Sequence, residues 1–271
     1  MSGNNTLVRV IVSVVTIPVI LFLCYLGKIP FLIFITLIGT ISFIEYLQLA
    51  KKKDASPLVL PGILSILALF LNSYFHFVDY FTLFLFITIL IIMIELFRNM
   101  GSSIINIGVT FLGIFYIGLF ASTIIELREF FPDNYDAGAY LIISILITIW
   151  ICDSAAFFGG INLGKHKLFP RVSPKKSWEG AIFGFVFSVI SMVAAKMIFL
   201  DFFSWIDVIA IGVIIGSIGQ LGDLAESLIK RDAGVKDSSN LIPGHGGIFD
   251  RFDSLIVASP AIYLYLKIFL V

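Results

Sequence analysis

Long uncharged runs recur from one end of this chain to the other, and they leave few ways to fold. A membrane-crossing helix needs about 20 mostly apolar residues. Such runs lie at 7–26, 30–50, 57–75, 79–96, 104–125, 139–158, 180–200, 203–221 and 255–271. In lipid the backbone must satisfy its own N–H and C=O groups, so runs of this length are helices. The expected fold class is therefore all-α: a polytopic membrane protein of about nine transmembrane helices. Composition agrees, with 59% hydrophobic and 13% charged residues, against ~45–50% apolar and about a quarter charged in soluble domains. The first run is too long for a signal-peptide core and no A-x-A site follows it, so it reads as a retained helix. The eighth run is expected to continue past Leu221 as a polar helix leaving the membrane. Pro30 and Pro61 disturb the second and third runs.

Orientation follows from the basic residues, which favour the cytoplasmic side. With the N-terminus inside, the inner segments hold all of the 18 Lys and Arg except Lys28, Arg128, Lys196 and Lys267. The segment after the fifth run carries Glu126, Glu129, Asp133 and Asp136 and suits the outside. The net charge is zero, so bulk charge says nothing about partners. Cys24 and Cys152 sit in apolar runs without metal-ligand spacing, and read as packed thiols. Residues 1–138 show no motif, whereas 139–271 carry the polar clusters; with no linker or repeat between them, the chain is expected to form one integrated membrane domain.

In a chain this apolar, a dense polar cluster needs a reason. Gln220, Asp223, Glu226, Ser227 and Lys230 share one helical face at ~100° per residue. That face is either a site or the solvated side of an emerging helix. Asp250 and Asp253, i and i+3 on a helix, can converge on one hard cation such as Mg²⁺, with Asp223 as a third carboxylate. Arg251 between them can grip a phosphate bidentately. The competing reading of the pair is a helix N-terminus, which favours carboxylates through its dipole. The preceding Gly244, Gly246 and Gly247 let backbone N–H groups approach a phosphate, or simply make a tight turn. His245 can donate to a phosphate, act in acid–base chemistry or brace that turn.

A second polar segment carries Asp153, then Ser173, Lys175, Lys176 and Glu179. An unpaired carboxylate ending an apolar run is costly, so Asp153 calls for a metal or a cationic partner. Lys175, Lys176 and Glu179 open a helix within a compact motif and read as functional; Lys165, Lys167 and Arg171 read equally well as topological anchors. Glu45, Glu95, Lys196 and Asp207 lie near helix ends and read as structural, with Glu45 and Glu95 as the two that could line a site. The pairs Gly180/Gly184 and Gly212/Gly216 have small-x-x-x-small spacing, which suits close helix packing.

The run Ser227-x-x-Lys230-Arg231, Lys236-Asp237, Pro243-x-His245-Gly246-Gly247, Asp250-Arg251-x-Asp253 resembles the signature of the phosphatidate cytidylyltransferases, also called CDP-diacylglycerol synthases. The segments Asp153-Ser-Ala-Ala-Phe and Ser173-Pro-Lys-Lys-Ser-Trp-Glu-Gly180 resemble the same family, so the likeness covers about residues 153–254. It implies a homodimeric, multi-pass enzyme of the cell inner membrane with its site facing the cytoplasm. Its partners would be CTP, phosphatidate and membrane lipids, with no nucleic acid. Its cofactor would be Mg²⁺, with a second metal ion or a monovalent cation as a further candidate. It implies catalytic roles for Asp223, Lys230, Arg231, Lys236, Asp237, His245, Asp250 and Asp253, and metal ligation by Asp223, Asp250 and Asp253. It implies substrate contacts for Asp153, Ser173, Lys175, Lys176, Glu179, Ser227, Gly246, Gly247 and Arg251. Two other readings compete. Polar residues at helix ends also suit a transporter, although transporter sites usually lie near the midplane. The CTP chemistry also suits an isoprenoid-ether lipid phosphate as acceptor, or a CTP-dependent lipid kinase. No D-G-x-x-A-R pattern is present, which argues against the CDP-alcohol phosphotransferases.

Overall fold

A computed structural model describes residues 2–242, 244 and 246–270, with side chains from Val12 onward; His245 lies outside the described residues. Helices dominate: α1 (Ser2–Leu26), α2 (Lys28–Lys51), α3 (Val59–Phe75), α4 (Tyr80–Leu96), α5 (Ser103–Gly113), α6 (Phe120–Arg128) and α7 (Tyr135–Leu163), then α8 (Trp178–Ile198), α9 (Trp205–Ile214), α10 (Gln220–Asp232) and α11 (Phe249–Phe269). Among the described residues the only strands are β1 (Lys167–Phe169) and β2 (Ser173–Ser177), an antiparallel hairpin that pairs Lys167 with Ser177. Among the described residues six helical stretches are long and apolar enough to cross a membrane: Lys28–Lys51, Ser103–Arg128, Tyr135–Leu163, Trp178–Ile198, Trp205–Asp232 and Phe249–Phe269. Val12–Leu26, Val59–Phe75 and Tyr80–Leu96 are apolar but shorter.

Local chemistry explains several boundaries. Asp79 caps α4 by accepting from Thr82 N at 2.9 Å, and Ser204 with Asp207 forms a capping box on α9. Ser177 caps α8 by accepting from Gly180 N at 3.2 Å. Two of the long helices contain a π-helical turn, Ile114–Leu119 between α5 and α6 and Ile215–Gly219 between α9 and α10. A π turn leaves backbone carbonyls without their usual i+4 donor. In the second turn Gln220 Nε2 donates to Gly216 O at 2.5 Å, and just before it Ser188 Oγ donates to Gly212 O of α9 at 2.8 Å.

The chain forms two compact units that interleave along the sequence. The first contains most of α1, residues 27–126 and residues 229–252. Its core is apolar, with Phe31, Phe43, Phe70 and Ile66 fully buried. The second contains residues 24–26, 127–228 and 253–271. Here the buried Arg128 donates to the carbonyls of Cys24 at 2.7 Å and Tyr25 at 3.0 Å, capping the end of α1. Small residues bring the helices of this unit together: a Cβ at Gly180 would lie 2.6 Å from Ala156 O, and one at Gly212 would lie 2.8 Å from Val189 Cα. Both cysteines are buried and free.

Candidate active site

In the second unit, Asp223 and Glu226 lie one turn apart on α10, and Asp253 lies near the start of α11. One carboxylate oxygen from each falls within 4.8 Å of the others. Gly222 makes this possible. A Cβ there would sit 2.9 Å from Val257 Cβ and 3.0 Å from Asp253 O, so any larger residue would push α10 away from α11. Glu226 is fully buried, and three clustered carboxylates repel one another unless a cation joins them. The donors are all hard oxygens, which suits Mg²⁺, Ca²⁺ or Mn²⁺ rather than a thiophilic metal.

One cation is already present. Lys176, at the end of the hairpin, places Nζ 2.6 Å from Asp223 Oδ2, and both side chains are about a third exposed. Ser227 Oγ donates to Asp223 Oδ1 at 3.3 Å. The hairpin is held at its base by Glu179, in the first turn of α8. Its carboxylate accepts from Lys165 N at 3.1 Å and His166 N at 3.2 Å, and lies 2.6 Å from His166 Nδ1. Glu179 therefore anchors the entry to the hairpin, whose second strand carries Lys176. Ser173 opens β2, Lys175 is exposed on it, and Asp153 is exposed on α7. Asp153 lies within α7, which continues beyond the apolar run to Leu163.

In the first unit the glycine turn folds around Asp250. Its Oδ1 accepts from Lys230 Nζ at 2.6 Å, and its Oδ2 accepts from Ser238 N and Ser238 Oγ at 3.0 Å and Gly247 N at 2.7 Å. Lys230 and Asp250 are both largely buried, so losing either partner would cost roughly 3–5 kcal/mol. Ile242 N donates to Gly246 O at 2.9 Å and closes the turn. Gly246 has φ +86° and a Cβ there would lie 2.6 Å from Asp250 Oδ2, so both its conformation and its closeness to the carboxylate require glycine. A second buried carboxylate, Glu45 on α2, supports the same turn. It accepts from Ser238 Oγ at 3.0 Å, Ser239 Oγ at 2.5 Å, Ile248 N at 3.1 Å and Phe249 N at 2.8 Å. Gly247 packs directly on Ser238 Oγ and the Glu45 carboxylate, with no room for a Cβ.

The Cytidylyltransferase family profile matches residues 7–269. A phosphatidate cytidylyltransferase from Bacillus subtilis is 34% identical over 269 residues, covering 96% of this chain and 97% of that protein. The chain belongs to the cytidylyltransferase family. Shorter matches share more identity. A phosphatidate cytidylyltransferase from Haemophilus influenzae is 44% identical over 50% of this chain and 48% of its own length. One from Staphylococcus aureus is 42% identical over 51% of this chain and 53% of its own length. Family membership decides for an enzyme over a transporter.

On this cytidylyltransferase the signature cations differ in setting. Lys230 is held by Asp250, whereas Arg231 is exposed and donates Nη1 to Val235 O at 2.9 Å. Lys236, Asp237 and Arg251 are exposed. The stripe on α10 is not a solvated face, because Glu226, Ser227 and Lys230 are all buried. Sequence reasoning left out one residue of the carboxylate cluster and one that supports the glycine turn. Glu226 stood in the helical stripe, and its i+3 spacing from Asp223 was the available signal. Glu45 was read as structural with only a minor chance of lining the site, since nothing local ties it to residues some two hundred positions away.

Proposed function

We propose that this protein is a phosphatidate cytidylyltransferase, joining CTP to phosphatidate to form CDP-diacylglycerol in phospholipid biosynthesis. The observation that carries the reading is the cluster of Asp223, Glu226 and Asp253 with Lys176 beside it. A nucleoside triphosphate needs its charge neutralised, and hard carboxylates with a flanking ammonium suit that task. Asp223, Glu226 and Asp253 would hold Mg²⁺, which when bound supplies positive charge against the triphosphate.

The protein's own groups do the positioning. A phosphate oxygen of phosphatidate attacks the α-phosphorus of CTP. A new P–O bond forms, the bond to the bridging oxygen breaks, and pyrophosphate leaves with that electron pair. A phosphate monoester is already ionised near neutral pH, with a second pKa of about 6, so no strong base is required. Positioning and charge neutralisation then account for most of the catalysis. Lys176 moves from Asp223 to the phosphates as they arrive, joined by Lys175 on the same strand. Lys236, Arg231 and Arg251 add cationic charge for phosphate groups, while Asp250 and Lys230 order the glycine turn.

The six long helices and the three shorter apolar ones all cross the membrane in this reading. The N-terminus, the hairpin and the glycine turn then face the cytoplasm, where CTP is found, in the inner membrane of the cell. The enzyme works as a homodimer. The test is incubation of the purified protein with radiolabelled CTP, phosphatidate and Mg²⁺, followed by lipid extraction. CDP-diacylglycerol and an equal amount of pyrophosphate are expected. Label transferred only to another lipid phosphate, or γ-phosphate transfer without pyrophosphate, would refute the proposal.

A further inference from the structure

The first unit holds a second feature that the catalytic reading does not use. The segments joining α2 to α3 and α4 to α5 border an open cavity of about 410 Å³, within the size range of small-molecule sites. Two of its lining residues are cationic, Lys51 and Arg98, and the rest of its wall is mainly apolar, including Leu58, Pro61, Ile94 and Met100. Arg98 is fixed in place. Its Nη1 donates to the buried Glu95 at 3.1 Å, an ion pair, and its Nη2 to Ser56 O at 3.0 Å and Met100 Sδ at 3.6 Å. Glu95 is engaged on its other oxygen by Asn106 Nδ2 at 2.7 Å, and Asn106 Oδ1 accepts from Ser56 N at 2.7 Å. This network uses only part of the five-donor guanidinium and holds its plane rigid. Lys51 is exposed at the end of a helix long enough to span the membrane. The neighbouring Lys53 pairs with Asp232 at 3.3 Å, whereas among the described residues Lys51 has no such partner.

Around the same helix ends Leu60, Leu96 and Phe97 are exposed, the last at 83%. Exposed large apolar groups beside basic residues, at the end of a spanning helix, fit the boundary between acyl chains and headgroups. We infer that this cavity binds an anionic phospholipid, with its phosphate between Lys51 and Arg98 and the upper acyl chains against Pro61 and Ile94. A soluble phosphate would satisfy the two cations but would leave the apolar wall and the exposed Leu60, Leu96 and Phe97 uncovered. The inference does not depend on the catalytic reading, since no lining residue belongs to the proposed active site.

Native mass spectrometry of the full-length protein released from detergent tests it by binding rather than turnover. The probes are dioleoyl phosphatidylglycerol and, as the neutral comparison, dioleoyl phosphatidylcholine. Lys51→Glu should weaken phosphatidylglycerol binding at least fivefold and leave phosphatidylcholine binding unchanged. Lys52→Glu makes the same charge change on the adjacent exposed residue, outside the cavity, and should have less than a twofold effect. Equal losses in the two variants would mean general surface attraction, and an unchanged Lys51→Glu would mean that the cavity is not used; either overturns the inference. Glycerol 3-phosphate is the soluble arm. If it displaces phosphatidylglycerol at comparable concentrations, the site reads free phosphate and the lipid assignment fails.

Discussion

Replacing Glu45 by Gln tests whether the order of the glycine turn matters for turnover. The change keeps size and shape but removes the charge and one acceptor. In the structure each carboxylate oxygen accepts from one serine hydroxyl and one backbone N–H: Ser239 and Ile248 on Oε1, Ser238 and Phe249 on Oε2. Whichever way the amide is turned, its NH₂ group faces one of the two backbone donors. The serine hydroxyl on that side can rotate away, but the N–H cannot. A buried donor left unsatisfied costs ~1–3 kcal/mol, and the remaining bonds lose charge assistance. The turn should thus be destabilised by roughly 2–4 kcal/mol relative to its open forms. If turnover requires the closed turn and that turn is only marginally favoured, a loss of 2 kcal/mol lowers its population, and with it kcat, by up to about 30-fold. Amide hydrogen exchange over residues 238–249 should rise by a similar factor, while the melting temperature moves little because the helices of the core are untouched. Glu95→Gln is the control, a buried carboxylate engaged by Arg98 and Asn106 away from the signature; it should lower stability and spare kcat. Wild-type turnover in Glu45→Gln, with exchange showing residues 238–249 mostly open, would refute the link between turn order and catalysis.

Three further outcomes are expected. Glu226→Gln and Asp253→Asn should each lower turnover by at least a hundredfold and weaken Mn²⁺ binding measured by electron paramagnetic resonance, whereas Asp250→Asn should cut turnover with a smaller effect on metal; unchanged Mn²⁺ affinity in Glu226→Gln would remove it from the ligand set. Gly222→Ala should act without altering any charge, because its methyl group would sit 3.0 Å or less from Val257 and Asp253 O; we expect activity to fall tenfold or more, with a clear drop in thermal stability, and a silent substitution would show that α10 and α11 tolerate separation. A cysteine at Asn134 in a background lacking Cys24 and Cys152 should react with an impermeant thiol reagent on intact cells, whereas one at Ser238 should react only after lysis; labelling of Ser238 from outside would place the signature away from cytosolic CTP.

Much of this protein is written locally in its sequence. Runs of apolar residues long enough to span lipid must be helices, because the backbone finds no hydrogen-bond partners there except its own. The polar stripe on α10 was equally legible, since a period of 3.6 residues puts Asp223, Glu226, Ser227 and Lys230 on one face whatever surrounds them. The sequence could not say what that face meets. Asp250 and Asp253 are three residues apart and looked like one pair, yet Asp250 is taken up by Lys230, Ser238 and Gly247, and Asp253 joins Asp223 and Glu226. Side chains a turn apart share a direction only approximately, and the neighbouring backbone decides which partners each one finds. Glu45 shows the same limit over a longer distance, because its role exists only once α2 lies against a turn that begins at Ser238. The π turn at Ile215–Gly219 is also a tertiary outcome. A displaced carbonyl is tolerated there because Gln220 supplies a donor to Gly216 O, and no helical period in the sequence encodes that meeting.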